Sequence, residues 1–228
     1  MTDRMRVTLE IGPKGKKVVA VAPDWPGLER GAKTGEEAIE RLRSYRRRYA
    51  PVAKLAEMDA AFDANQDVDV VDQYPGTPST DFWSISFAFS SIDRQAMSND
   101  ALERELRLMR ACWAFFDDVR GRVSAEMRKG PRGGGRDRDR IVRHTLAAEQ
   151  QWAKMIAAPT PDLALLSDEG LQAYREAYCQ AIRDYHAQGK PAGKMAKWPL
   201  RYLIRHTAFH TMDHAWEMED KDLTGREA

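Results

Sequence analysis

The pattern of hydrophobic and polar positions changes period near residue 98. Before that point it is short and strand-like. Val7 to Ile11 alternates, Gly12-Pro13-Lys14-Gly15 supplies a turn, and Lys17 to Ala22 returns, which predicts a β-hairpin. Pro23-Asp24-Trp25-Pro26-Gly27 then breaks regular structure. Thr34, three residues before Glu37, has the spacing of a capping box and opens a helix over about 35–49, with Ala38, Leu42, Tyr45 and Tyr49 on one face. Val68–Val71 and Trp83–Phe87 read as two further strands, parted by the turn-rich segment Tyr74–Pro78.

Beyond residue 98 the period is helical. Asp100 with Glu103 repeats the capping-box spacing, and Leu102, Leu106, Met109, Trp113, Phe116, Val123 and Met127 keep one apolar line. Residues 129–140, KGPRGGGRDRDR, read as a flexible basic connector. Ile141, Thr145, Ala148, Trp152 and Met155 mark a second helix that closes before Pro159. Ser167 starts a third, with Leu171, Tyr174, Tyr178, Ala181 and Tyr185 on one face, stopped by Gly189 and Pro191. Pro199, read as a first-turn proline, opens a fourth helix that runs to about Asp220. The expected fold is an α+β module over residues 1–97 followed by an all-α four-helix bundle over 98–228.

Composition narrows the function classes. The 36 Lys+Arg against 35 Asp+Glu leave a net charge of +1, so no global field recruits nucleic acid or anionic lipid. The basic run Tyr45-Arg46-Arg47-Arg48-Tyr49 could grip RNA, but reads better as a helix whose tyrosines pack and whose arginines stay solvated. Two cysteines, Cys112 and Cys179, exclude a disulfide scaffold and a cysteine-only zinc site, and read as buried, inert thiols. The first residues, MTDRMRVTLEIG, lack the apolar stretch of a signal peptide, and no apolar run reaches membrane-spanning length. A cytoplasmic protein with no membrane partner is expected.

Candidate chemistry lies in the histidines. Three of the five, His206, His210 and His214, recur every fourth residue in the last helix. Residues so spaced differ by about 40° around the axis and about 6 Å along it, so neighbours can share one ion. The inward line of that helix runs Leu203, Thr207, His210, His214. Imidazoles in such positions cost about 1–3 kcal/mol each unless their nitrogens are engaged. His144, on the second helix, could complete a three-histidine site with His210 and His214, suited to Zn²⁺, Ni²⁺ or Fe²⁺ with coordination positions left open. Asp213, Glu217 and Glu149 could accept the outer N–H of a ligating ring. His206 falls off this line and reads as a neighbour of the ligands or a surface group, and His186 as a solvated helix end. Trp113, Trp152 and Trp216 read as core, while Trp25 and Trp83 could seal the junction between modules.

The helical part, about residues 98–220, resembles the DinB/YfiT-like superfamily of four-helix bundles, through His144 in HTLAAEQQW, with Glu149 and Trp152 behind it, and through the pair His210 and His214 in HTMDHAWEMEDK. The resemblance implies a divalent metal (zinc or nickel above all) on His144, His210 and His214, a homodimer, and in several members a low-molecular-weight thiol used on a small-molecule substrate. The segment PDWPGLERGAKTGEEAIERLRSY, through Gly31, Thr34, Glu37 and Ala38, resembles the HicB-like α+β module. The expectation is a metal-dependent enzyme, a thiol-dependent transferase or isomerase. The alternative is a non-enzymatic, metal-stabilised interaction protein that binds its partner through the HicB-like module.

Overall fold

Strand β1 (Arg4–Ile11) pairs antiparallel with β2 (Val18–Val21) in the expected hairpin, and β2 pairs antiparallel with β3 (Glu29–Ala32). Helices α1 (Gly35–Leu55) and α2 (Asp59–Ala64) then lead to β4 (Asp67–Pro75), which lies parallel to β1 and completes a mixed sheet of order β3-β2-β1-β4. After α3 (Pro78–Trp83) come α4 (Asn99–Arg122), α5 (Arg138–Ala153), a 3-10 turn at Lys154–Ile156, α6 (Asp168–Ala187) and α7 (Leu200–Lys221). These elements come from a computed structural model that describes residues 4–64, 66–130, 135–162, 167–188 and 198–225. The protein is α+β, and no helix among the described residues is long and apolar enough to cross a membrane. The chain divides into two compact units, Met1–Phe115 with Arg201–Phe209, and Phe116–Leu200 with His210–Ala228. The helical period starts at residue 98, but α4 and α7 each contribute one part to either unit.

In the first unit, Thr34 caps α1 as its spacing predicts, its hydroxyl accepting from Glu37 N at 3.1 Å. The helix outlasts the expected end at 49 and runs past Pro51, because Val52 and Ala53 are buried and hold its last turns. Ala38, Leu42 and Tyr49 are buried, and Tyr49 packs with Trp25 and Phe62, with ring centroids 4.7 Å apart for Trp25–Phe62 and 5.4 Å for Tyr49–Phe62. Tyr49 also donates to Pro26 O at 2.7 Å, and Arg30 lies 3.8 Å over Tyr45. The tyrosines flanking the arginine run are therefore already engaged within the fold.

Two local readings change, and one strand has no counterpart in the sequence pattern. Trp83–Phe87 is not a strand: α3 begins at Pro78, Ser84 takes a left-handed φ of 59°, and the amides of Phe87 and Ala88 turn onto a buried carboxylate. Glu10 Oε1 accepts from Thr80 Oγ1 (2.5 Å) and Phe87 N (3.0 Å), and Oε2 from Ser86 Oγ (2.7 Å) and Ala88 N (3.0 Å). That carboxylate takes the ladder's place. Tyr74–Pro75 is not a turn but the end of β4. The short charged strand β3 carries no β-branched residue to announce it, and forms where Glu29 finds Arg205 and Arg30 finds Tyr45.

Arg205 is the centre of this polar layer. From Tyr202 to Phe209 every residue of α7 is buried, so a cation here requires partners. It donates from Nε and Nη2 to Asp93 at 2.7 and 2.9 Å and from Nη1 to Glu29 at 3.0 Å.

In the second unit, Asp137 caps α5 by accepting from Arg140 N at 2.7 Å, and Ser167 caps α6 by accepting from Gly170 N at 3.1 Å. Leu146 of α5 packs with Leu171 and Tyr174 of α6, flanked by Val142. Ser98, rather than Asp100, caps α4, accepting from Ala101 N at 3.2 Å, and Pro199 is the residue before α7 rather than its first. The expected stops at Gly189 and Pro191, and residues 131–134 of the basic connector, lie outside the described residues.

Candidate metal centre

The second unit brings together the histidines of α5 and α7. Burial of Ile141, Thr145, Leu146 and Glu149 sets the rotation of α5 and turns His144 to its open side. The last turns of α7 are held by the segment after α4: Arg128 N donates to Lys221 O at 2.8 Å, and Ser124 N to Asp222 Oδ1 at 2.8 Å. In that frame one ring nitrogen from each of His144, His210 and His214 lies within 4.8 Å of the others. The ring centroids are 4.5 Å apart for His210–His214, 4.9 Å for His144–His214 and 5.2 Å for His144–His210.

Two nitrogens held by one ion at about 2.0–2.1 Å sit roughly 2.8–3.4 Å apart, from cis-octahedral to tetrahedral geometry. The Nε2 atoms of His210 and His214 are 3.2 Å apart. His214 Nδ1 lies 2.7 Å from Glu217 Oε2, and the other oxygen of Glu217 accepts from Lys221 Nζ. The bond from His214, with that from Lys221, outweighs burial and holds Glu217 down to about 2, so it is an acceptor only at neutral pH. His214 must then carry its proton on Nδ1, which leaves the Nε2 lone pair facing His210. Burial lowers His144, and the nearby Arg136 charge lowers it further, so it has a lone pair to offer at neutral pH. His214 is the most enclosed of the three and His144 the most exposed. Three imidazoles opening to solvent on one side are a donor set that fits a divalent cation with exchangeable positions.

Of the residues expected around the ligands, Glu217 is in contact with His214, and Asp213 lies half-buried one residue before it. Glu149 is buried beside Tyr174, about 140° round α5 from His144. His206 is not a surface group. It is buried in the first unit, stacked on Tyr202 at 5.1 Å, and burial, with Arg205 alongside, pushes it down to about 3. Trp113 and Trp216 are core, as expected, but Trp152 is only half-buried and stands edge-on to His210 at 5.1 Å. Lys221 stands at the i,i+4 spacing from Glu217 that marks an ion pair in sequence. Arg136 is marked in the sequence only as part of the basic connector, with nothing that ties it to His144.

Both cysteines are buried, and burial pushes the Cys112 thiol well up, so Cys112 offers no thiolate. No family model, curated protein or solved structure matches this chain.

Proposed function

We propose that the chain is a metal-dependent enzyme of the DinB-like type. In this reading α4–α7 form a DinB-like bundle, and His144, His210 and His214 bind one divalent ion, zinc or nickel. The reaction is a transfer or isomerisation that uses a low-molecular-weight thiol. The observation that carries it is the meeting of three histidines from two helices, with two Nε2 atoms 3.2 Å apart.

When bound, such a cation supplies a Lewis acid that lowers the pKa of a coordinated thiol or water. The rest belongs to the chain. Glu217 holds the proton at His214 Nδ1 and so fixes the tautomer that can ligate, and Lys221 fixes Glu217. The exposed side of His144 leaves room for a small molecule, and Trp152 walls the His210 side. Because Cys112 and Cys179 are buried, the thiol comes from outside the protein.

The test is metal content by mass spectrometry on protein without a polyhistidine tag, beside His144→Ala and His210→Ala. The expected result is one equivalent in the wild type, lost in both variants, and turnover of a thiol with an electrophile only when metal is present. A chain that carries no metal and takes none up on titration overturns the proposal. Bound metal that exchanges no water favours instead the interaction-protein reading.

A further inference from the structure

One end of the sheet carries the two most exposed large apolar side chains among the described residues. Phe82 is 73% exposed and Trp83 63%, their rings edge to face at 4.5 Å. Burial normally removes such surface from water, so an adjacent exposed pair marks a contact. The pair is joined to a basic turn by one carboxylate. Asp81 accepts from the backbone N–H groups of Lys14 (2.7 Å), Lys16 (2.9 Å) and Lys17 (3.1 Å). Gly12 allows that approach, since a Cβ there would stand 2.1 Å from Asp81 Oδ1. The β1–β2 turn and α3 therefore form one unit of surface, with the half-exposed Ile11 at its edge.

Its charge is one-sided. In residues 11–17 and 77–88 the acidic side chain is Asp81 alone, and Asp81 is engaged by the turn, whereas Lys14 and Lys16 are exposed and Lys17 half-buried. Protein interfaces are depleted in lysine, and their aromatic anchors fill pockets. Lipid interfaces attract both features shown here: aromatic rings at the headgroup level, and lysines facing anionic headgroups. The net charge of +1 and the lack of a spanning helix leave such a local patch untouched.

We propose that this end of the first unit docks on an anionic lipid surface, with Phe82 and Trp83 entering the interfacial layer and Lys14, Lys16 and Lys17 over the headgroups. The docking is peripheral and independent of the histidine centre.

The test is co-sedimentation of the full chain with vesicles of phosphatidylcholine alone and of phosphatidylcholine mixed with phosphatidylglycerol. The chain should pellet with the mixed vesicles and not the neutral ones, and added salt should release it. Replacing all three lysines with glutamine should weaken binding roughly a hundredfold. The pair Phe82→Ser, Trp83→Ser should abolish it while leaving the thermal midpoint in place, since both side chains are solvated already. Wild type that stays in solution with mixed vesicles, or serine variants that bind as tightly, overturns the proposal. So does a wild-type dimer in analytical ultracentrifugation that the serine pair dissolves without any vesicle binding, because the face would then serve a second copy of the chain.

Discussion

Single protons decide what the histidine centre can do. With Glu217 ionised, the His214 proton is confined to Nδ1 and Nε2 is left to bind. Glu217→Gln keeps the shape but can donate to Nδ1, so it no longer selects the ligating tautomer. Loss of such an outer partner typically costs 10–100-fold in metal affinity. We expect a drop of roughly that size in a competition titration against a chromophoric chelator, with an unchanged circular dichroism spectrum. Unchanged affinity would mean that Glu217 serves only as an ion-pair partner of Lys221. The spacing of His210 and His214 was legible in the sequence, as was the candidacy of His144. The burial of His206 was not, because Phe87, more than a hundred residues away, covers it together with Tyr202 one turn back on α7.

Among elements, the sequence was informative wherever local rules rule. Thr34 caps α1, Ser167 caps α6, and the alternation of Val7–Ile11 marks β1. It misled where a distant group took over backbone bonding, as Glu10 does for Phe87 and Ala88. The same segment sets a close approach. Ser84 O passes β3 so tightly that a Cβ on Gly31 would lie 2.2 Å from it. Backbone cannot give way as a side chain can, so Gly31→Ala should destabilise by about 1–3 kcal/mol. Urea unfolding should show this as a lower midpoint at constant slope. An unchanged midpoint would mean that the 84–88 segment moves freely off β3.

At the scale of the whole molecule, the buried charges around Arg205 link stability to pH. Burial pushes Asp93 up, but the Arg205 guanidinium and the Ser90 N–H and hydroxyl pull it further down, below the ordinary carboxylate value. Its contribution is complete above that ordinary value and fades as the pH falls toward the folded one. Glu29 has the opposite sign. Burial, opposed by Arg205, raises it from 4.5 to about 8, so it stabilises the fold while protonated and that contribution is lost as the pH rises through this range. The thermal midpoint should therefore fall on both sides of a maximum. Asp93→Asn should flatten the acid limb and Glu29→Gln the neutral one, whatever their effect on its height. A Glu29→Gln profile parallel to wild type from pH 4.5 to 8 would refute the assignment of that limb.

What the sequence alone determined is whatever repeats at short range: caps, the first hairpin, the switch of period near residue 98, and the histidines that could meet. These follow from steric and hydrogen-bonding rules within a few residues. The tertiary structure decided the rest. It set which amides turn to Glu10, that charged β3 is a strand, that Arg205 and His206 are buried, and that Phe82 and Trp83 are not. The buried groups depend on partners tens of residues away, and the free energy of a buried polar group is defined only once its partner is in place.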